Sequence, residues 1–122
     1  LGEWWFETTN LPLPLGGTAI RKDLGPEMIQ KIGRVFKRSV EYSLAHREAA
    51  LDYAMQYARG LDRADADKFV GMYVNDMTLD ADMEIRKAVR LLLAMGNGVG
   101  VIPDKIDPEF INVEELPSPA RG

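Results

Sequence analysis

The sequence predicts a mostly α-helical chain, about four helices preceded by one or two short strands. Three observations carry that reading. Between residues 26 and 95, apolar side chains recur three and four positions apart, which is the helical period. Gly and Asp stand where those periodic runs would stop and start. Ahead of them, Leu11-Pro12-Leu13-Pro14-Leu15-Gly16-Gly17 cannot be helix interior or central strand, because proline locks φ and donates no backbone hydrogen bond.

Residues 1–10 read as a loop or edge segment carrying Trp4, Trp5 and Phe6. In a strand, side chains alternate between faces, so three consecutive aromatics cannot all enter one core. Residues 11–17 form an extended crossover, with Gly16 and Gly17 permitting a sharp turn or a close approach. Thr18 to Ile20 read as a short strand leading into the helices.

The first helix is expected over about 26–45. Pro26 suits its first position, and Glu27 complements the positive helix end. Met28, Ile29, Ile32, Val35, Phe36 and Val40 form its apolar face; Gln30, Lys31, Arg34, Lys37 and Arg38 lie opposite. A second helix covers about 47–59 with Ala50, Tyr53, Ala54, Tyr57 and Ala58 on one face, and Gly60 stops it. Asp62 caps a third, with Asp65 in its first turn and Ala66, Phe69, Val70 and Tyr73 inward, to about Val74. Asn75-Asp76 break it. Thr78 or Asp80 caps a fourth helix over about 81–95, with Ile85, Ala88, Val89, Leu92 and Leu93 inward, ended by Gly96, Gly98 and Gly100. The chain thus divides into a crossover segment with a short strand (1–24), a helical part (25–100) and a Pro- and acid-rich tail (101–122) that orders only by packing on something. A lone strand needs a neighbour for its backbone groups, so either further sequence or a second copy of the chain must supply a sheet.

Composition narrows the function classes. The chain has 122 residues, 46% hydrophobic and 28% charged, as in one globular domain or part of one. It begins at Leu1 rather than Met, which reads as a piece of a longer protein, and its first residues have no signal-peptide pattern. Nor does any apolar run approach the roughly 20 residues of a membrane helix, so a cytoplasmic protein with no membrane partner is expected. No cysteine excludes disulfide and thiolate chemistry. A single histidine argues against a histidine metal site. A net charge of -4 argues against nucleic acid as a partner.

No constellation in the residues specifies catalysis. His46 falls between two helices beside Arg47 and Glu48, and the simpler reading is a helix-end residue rather than a base. Asp62, Asp65 and Asp67 are better read as cap, first-turn charge and solvated side chain than as a cation site, since the EF-hand spacing is absent. Tyr53, Tyr57 and Tyr73 read as core packing, and Lys31, Arg34, Lys37 and Arg38 as a solvated face. Gly96-x-Gly98-x-Gly100 follows a helix rather than opening one, so it is not a dinucleotide fingerprint. The crossover is the exception. Backbone beside glycines where a chain passes between lobes is where small-molecule clefts form, which nominates Pro14, Leu15 and Gly16 as substrate-binding. A purely structural crossover explains those residues equally well.

Several blocks occur together in order. They are Gly2-Glu3-Trp4-Trp5, Leu11-Pro12-Leu13-Pro14-Leu15-Gly16-Gly17 with Ala19-Ile20-Arg21-Lys22-Asp23-Leu24, His46-Arg47-Glu48, Tyr57-Ala58-Arg59-Gly60, and Phe69-Val70-Gly71-Met72-Tyr73-Val74-Asn75 with Thr78-Leu79-Asp80. The set resembles the C-terminal part of the 1,4-dihydroxy-6-naphthoate synthase family of the futalosine route to menaquinone, to about Pro103; the related chorismate dehydratases rank second. The resemblance implies a two-lobed α/β fold of the periplasmic-binding-protein-like type II, of which this chain is a mostly α part. It implies a lyase that converts cyclic dehypoxanthine futalosine to 1,4-dihydroxy-6-naphthoate in a cleft between lobes, with a small-molecule substrate and no metal or cofactor. The family's catalytic histidine lies in a His-Glu-Gly segment before the Gly-Glu-Trp-Trp block, and its substrate-binding Ser and Thr lie earlier still. None of these matches a position here, so no catalytic residue is assigned, His46 is not promoted, and the chain alone is expected to be inactive.

Two other classes remain: a non-enzymatic helical interaction module, and a ligand-binding protein of the same two-lobed fold. The first explains the helices but not the Trp-Trp and Leu-Pro-Leu-Pro opening. The long apolar faces and the unpaired strand also predict a homo-oligomer, a dimer first of all, with residues 1–24 at or near the contact.

Overall fold

The computed structural model describes residues 1–116; the end of the expected tail, 117–122, lies outside the described residues. Six α-helices follow one another, and no strand occurs among the described residues. Two expectations are thereby corrected. Residues 12–21 form no helix or strand, and the Thr18–Ile20 stretch pairs with nothing; backbone without a ladder partner is not a strand. The described chain is therefore helical, not a two-lobed α/β fold.

Helix α1 (Gly2–Thr9) stands where a loop or edge segment was expected. Successive side chains on a helix point about 100° apart, so only one of three consecutive aromatics faces inward. Trp5 is that one, 1% exposed, while Trp4 and Phe6 remain 53% and 56% exposed. Asn10 closes the helix in the left-handed region, at φ 55°, and its N–H donates to the Phe6 carbonyl. Trp5, Leu11 and Ala88 form the buried cluster, with Leu13, Leu91 and Leu92 packed against it. This fastens α1 and the start of the crossover to the last helix.

Helix α2 (Pro26–Ala45) has the expected bounds, with proline at its start and Glu27 in its first turn. Its expected apolar face divides: Val40 is buried, but Met28, Ile32, Val35 and Phe36 are exposed. Helix α3 (Arg47–Ala54) stops short of the expected 59 and passes into a tight turn over Met55–Tyr57. Leu51 is its buried residue, whereas Tyr53 and Tyr57 are exposed rather than core. Helix α4 (Arg63–Tyr73) is capped as expected by Asp62, which accepts from the Asp65 N–H at 2.8 Å. It buries Ala66 but leaves Phe69 and Tyr73 exposed. An amphipathic face is buried only where another layer meets it, and the described chain does not supply one for these residues.

Asn75 breaks α4 as read, and it also starts α5 (Asp76–Leu79): its side chain accepts from Met77 N–H, and the Thr78 hydroxyl accepts from Asn75 N–H. Helix α6 (Met83–Gly98) is capped by Asp82, not by Thr78 or Asp80. Ala88 is fully buried, and the inward face of Ile85, Val89, Leu92 and Leu93 is half-buried as expected. Gly96 lies inside the helix instead of ending it, while Gly98 is its last residue. A Cβ on Gly96 would come within 2.8 Å of Ile102, so this glycine admits the returning chain; Gly100, at φ 78°, makes the turn.

After that turn the tail does pack. Residues 101–116 form a strap from α6 back to α2. Phe110 lies under the guanidinium groups of Arg86 and Arg90, each 5.2 Å from its ring centre. Gln30 donates to the Asn112 carbonyl at 2.7 Å and accepts from the Glu114 N–H at 2.9 Å. Gly33 leaves room for Val113. Lys22 pairs with Glu109 and Lys37 with Glu115. The basic face read as solvated is in part the seat of this acidic strap.

Candidate functional site

Helices α2, α3 and α4 leave between them a cavity of about 380 Å³ that is broadly open to solvent. Its walls are apolar, with Val40 and Leu44 from α2, Leu51 from α3 and Val70 from α4. One polar pair sits in the wall. Arg47 at the start of α3 donates from Nε to Asp67 Oδ1 at 2.8 Å and from Nη2 to the Asp67 carbonyl at 3.1 Å. Both side chains are a little under half exposed, so solvent weakens the ion pair, while two bonds to one residue fix the orientation of the guanidinium. Gly71 permits this placement, because a Cβ there would lie 3.0 Å from Arg47 Nη2.

Neither Arg47 nor Asp67 was selected by sequence reasoning, and Asp67 was read as solvated. One signal was available. A glycine inside a helical run costs about 1 kcal/mol relative to alanine, so Gly71 marked a close approach.

The nominated crossover residues do not line this cavity. Pro14 is half-buried, and Leu15 and Gly16 are exposed. Space around Gly16 is open, with no heavy atom within 4 Å of where a Cβ would stand. Two residues on, Thr18 reaches the cavity and lines it. The crossover thus leads from the Trp5 cluster to the cavity, and Thr18, not Pro14, Leu15 or Gly16, shares its lining with the Arg47–Asp67 pair.

His46 behaves as the helix-end residue it was read to be. It ends α2, stacks on Tyr42 at 4.0 Å, and its Nδ1 lies 2.9 Å from the Tyr42 carbonyl. Among the described residues no group of three His, Cys, Asp or Glu side chains could hold a metal ion. Asp62 and Asp65 are occupied as cap and first-turn charge. No described helix is long and apolar enough to cross a membrane. The chemistry on offer at the cavity is binding and orientation by apolar walls, hydroxyls and one fixed guanidinium.

Residues 1–97 match the family described as menaquinone biosynthesis. A 1,4-dihydroxy-6-naphthoate synthase of Thermus thermophilus is 40% identical over 111 residues, covering 91% of this chain and 41% of that protein. A protein of the same name from Streptomyces coelicolor is 35% identical over 103 residues, covering 84% of this chain and 36% of that protein. The crystal structure of a protein from Archaeoglobus fulgidus superposes with a TM-score of 0.77 at 40% identity, covering 82% of this chain and 38% of that one. The chain spans about two fifths of the length of the curated relatives it matches.

Proposed function

The chain belongs to the menaquinone biosynthesis family, and on that premise we propose that it is part of a 1,4-dihydroxy-6-naphthoate synthase. The reaction is that of a lyase acting on cyclic dehypoxanthine futalosine, in the cytoplasm. One observation carries the reading: 40% identity to a synthase of that name across 91% of the chain, a span that includes most of the blocks from which the resemblance was drawn. On this reading the crossover at Pro14, Leu15 and Gly16 borders the substrate, and Thr18 and Arg47 complete that side of the site.

The chain alone is inactive on this proposal. The described side chains contain no base held against a reacting position, and an enzyme needs its groups positioned together around the substrate. The test is turnover of cyclic dehypoxanthine futalosine by the purified chain, followed as release of 1,4-dihydroxy-6-naphthoate. No product is expected. Product formation that disappears in His46→Gln would place the chemistry at His46 and overturn the assignment.

Association is a second proposal. Alone, the chain pairs with a copy of itself through the outer side of α1, where Trp4 and Phe6 are exposed. The open strand edge once expected nearby does not contribute, because no strand forms there.

A further inference from the structure

Helix α2 carries the strap and the cavity along one side and an apolar stripe along another. Gln30, Gly33 and Lys37 hold the strap. Val40 and Leu44 line the cavity. The other side carries Met28, Ile32, Val35, Ser39 and Tyr42, spaced 4, 3, 4 and 3 residues apart, which is the spacing of a helix-packing seam, with Ser39 at the edge of the cavity. Its four large side chains are 44%, 40%, 65% and 64% exposed. At 1.5 Å per residue the stripe is about 21 Å long.

We propose that this stripe docks the polypeptide that the relatives carry outside the region this chain matches. The proposal rests on the family reading above. Those relatives are more than twice as long as their matched region, so more than half of each is polypeptide with no counterpart here. An apolar stripe on a helix, interrupted here only by Ser39, is the surface such a layer covers. A second copy fits it less well. Lys31 and Arg38 border the stripe on one side, and antiparallel self-pairing would set that basic border against its own copy. The occupant therefore presents an apolar strip bordered by carboxylates.

The experiment mixes this full chain with the separately produced unmatched part of the Thermus thermophilus relative. Light scattering reads the mass, and hydrogen exchange reads residues 28–42. A one-to-one complex is expected, with slowed exchange over 28–42. Val35→Asp should weaken it at least about tenfold, while Val99→Asp, on the exposed end of α6, should not; circular dichroism confirms that both variants fold. No complex, protection elsewhere than 28–42, or self-pairing through the stripe would overturn the docking. Turnover by the mixture is read separately. A Val35-sensitive complex without turnover upholds the docking and removes the synthase reading. Turnover indifferent to Val35→Asp removes the docking and upholds the synthase reading.

Discussion

The indole N–H of Trp5 donates to the carbonyl of Pro12 at 3.0 Å, joining α1 to the first proline of the crossover. The same ring is the largest fully buried side chain and belongs to the cluster with Leu11 and Ala88. One residue thus fixes the entry of the crossover, satisfies a buried donor and closes α1 onto α6. Trp5→Ala should cost about 3–5 kcal/mol, the range for removing a buried aromatic. Trp5→Phe keeps an aromatic ring but leaves the Pro12 carbonyl without its donor, and should cost about 1–3 kcal/mol. Urea unfolding measures both. Equal stability of the two variants would show that shape and hydrogen bond do not act as described.

Gly96 and Gly98 should respond oppositely to alanine. Nothing lies within 4 Å of a Cβ on Gly98, the last residue of α6, so Gly98→Ala should stabilise the helix end by a fraction of the roughly 1 kcal/mol an interior site would gain. On Gly96 the same change meets Ile102 at 2.8 Å and should forfeit that gain. Pairing Gly96→Ala with Ile102→Ala should lift the clash. Identical thermal shifts for the two single variants would disprove the contact.

The strap should loosen in acid. Hydrogen bonding and charge from Lys37 hold the Glu115 carboxyl below its ordinary 4.5, and Lys22 acts likewise on Glu109. A carboxylate with a lowered folded pKa contributes fully above its unfolded value and loses that contribution as pH falls through the folded one. Lys37, raised above 10.5 chiefly by its hydrogen bond to Glu115, loses its contribution as pH rises through the raised value. Strap attachment should therefore hold from above about 4.5 to below about 10.5 and weaken outside that window. The methyl signals of Val113, which packs at Gly33, report it by NMR. Unchanged signals well below pH 4.5 would rule these pairs out as the fastening.

Gly16→Val tests the crossover. Space at Gly16 is open, so the described fold should tolerate valine with a change of no more than about 0.5 kcal/mol. In the active enzyme the substitution should reduce turnover. Parallel loss of stability and turnover would favour a structural crossover that touches no substrate.

Self-association should depend on α1. Sedimentation over a dilution series should show a dimer that dissociates on dilution. Replacing Trp4 and Phe6 together by Ala should shift it to monomer, because both side chains are exposed in the single chain. A compact monomer of the unaltered chain at high concentration would end the proposal.

The sequence alone determined what local chemistry controls. Pro26 and Glu27 set the start of α2, Asp62 set the start of α4, and Asn75 ended that helix. The Leu-Pro-Leu-Pro crossover and its accompanying blocks identified the family before any geometry was known. What it could not determine was decided by contacts distant in sequence. Three consecutive aromatics became α1 because one face of that helix could bury Trp5 against Ala88. Gly96 became a notch and not a helix end because Ile102 folds back onto it. Lys37 and Gln30 of α2, with Lys22 just before it, became the seat of a strap because residues 109–115 return there. Arg47 and Asp67, twenty positions apart, met because α3 and α4 turn back on one another. Caps and proline act within one turn, and their signals are written locally. Burial, notches and ion pairs depend on which surfaces meet, and only the tertiary structure decides that.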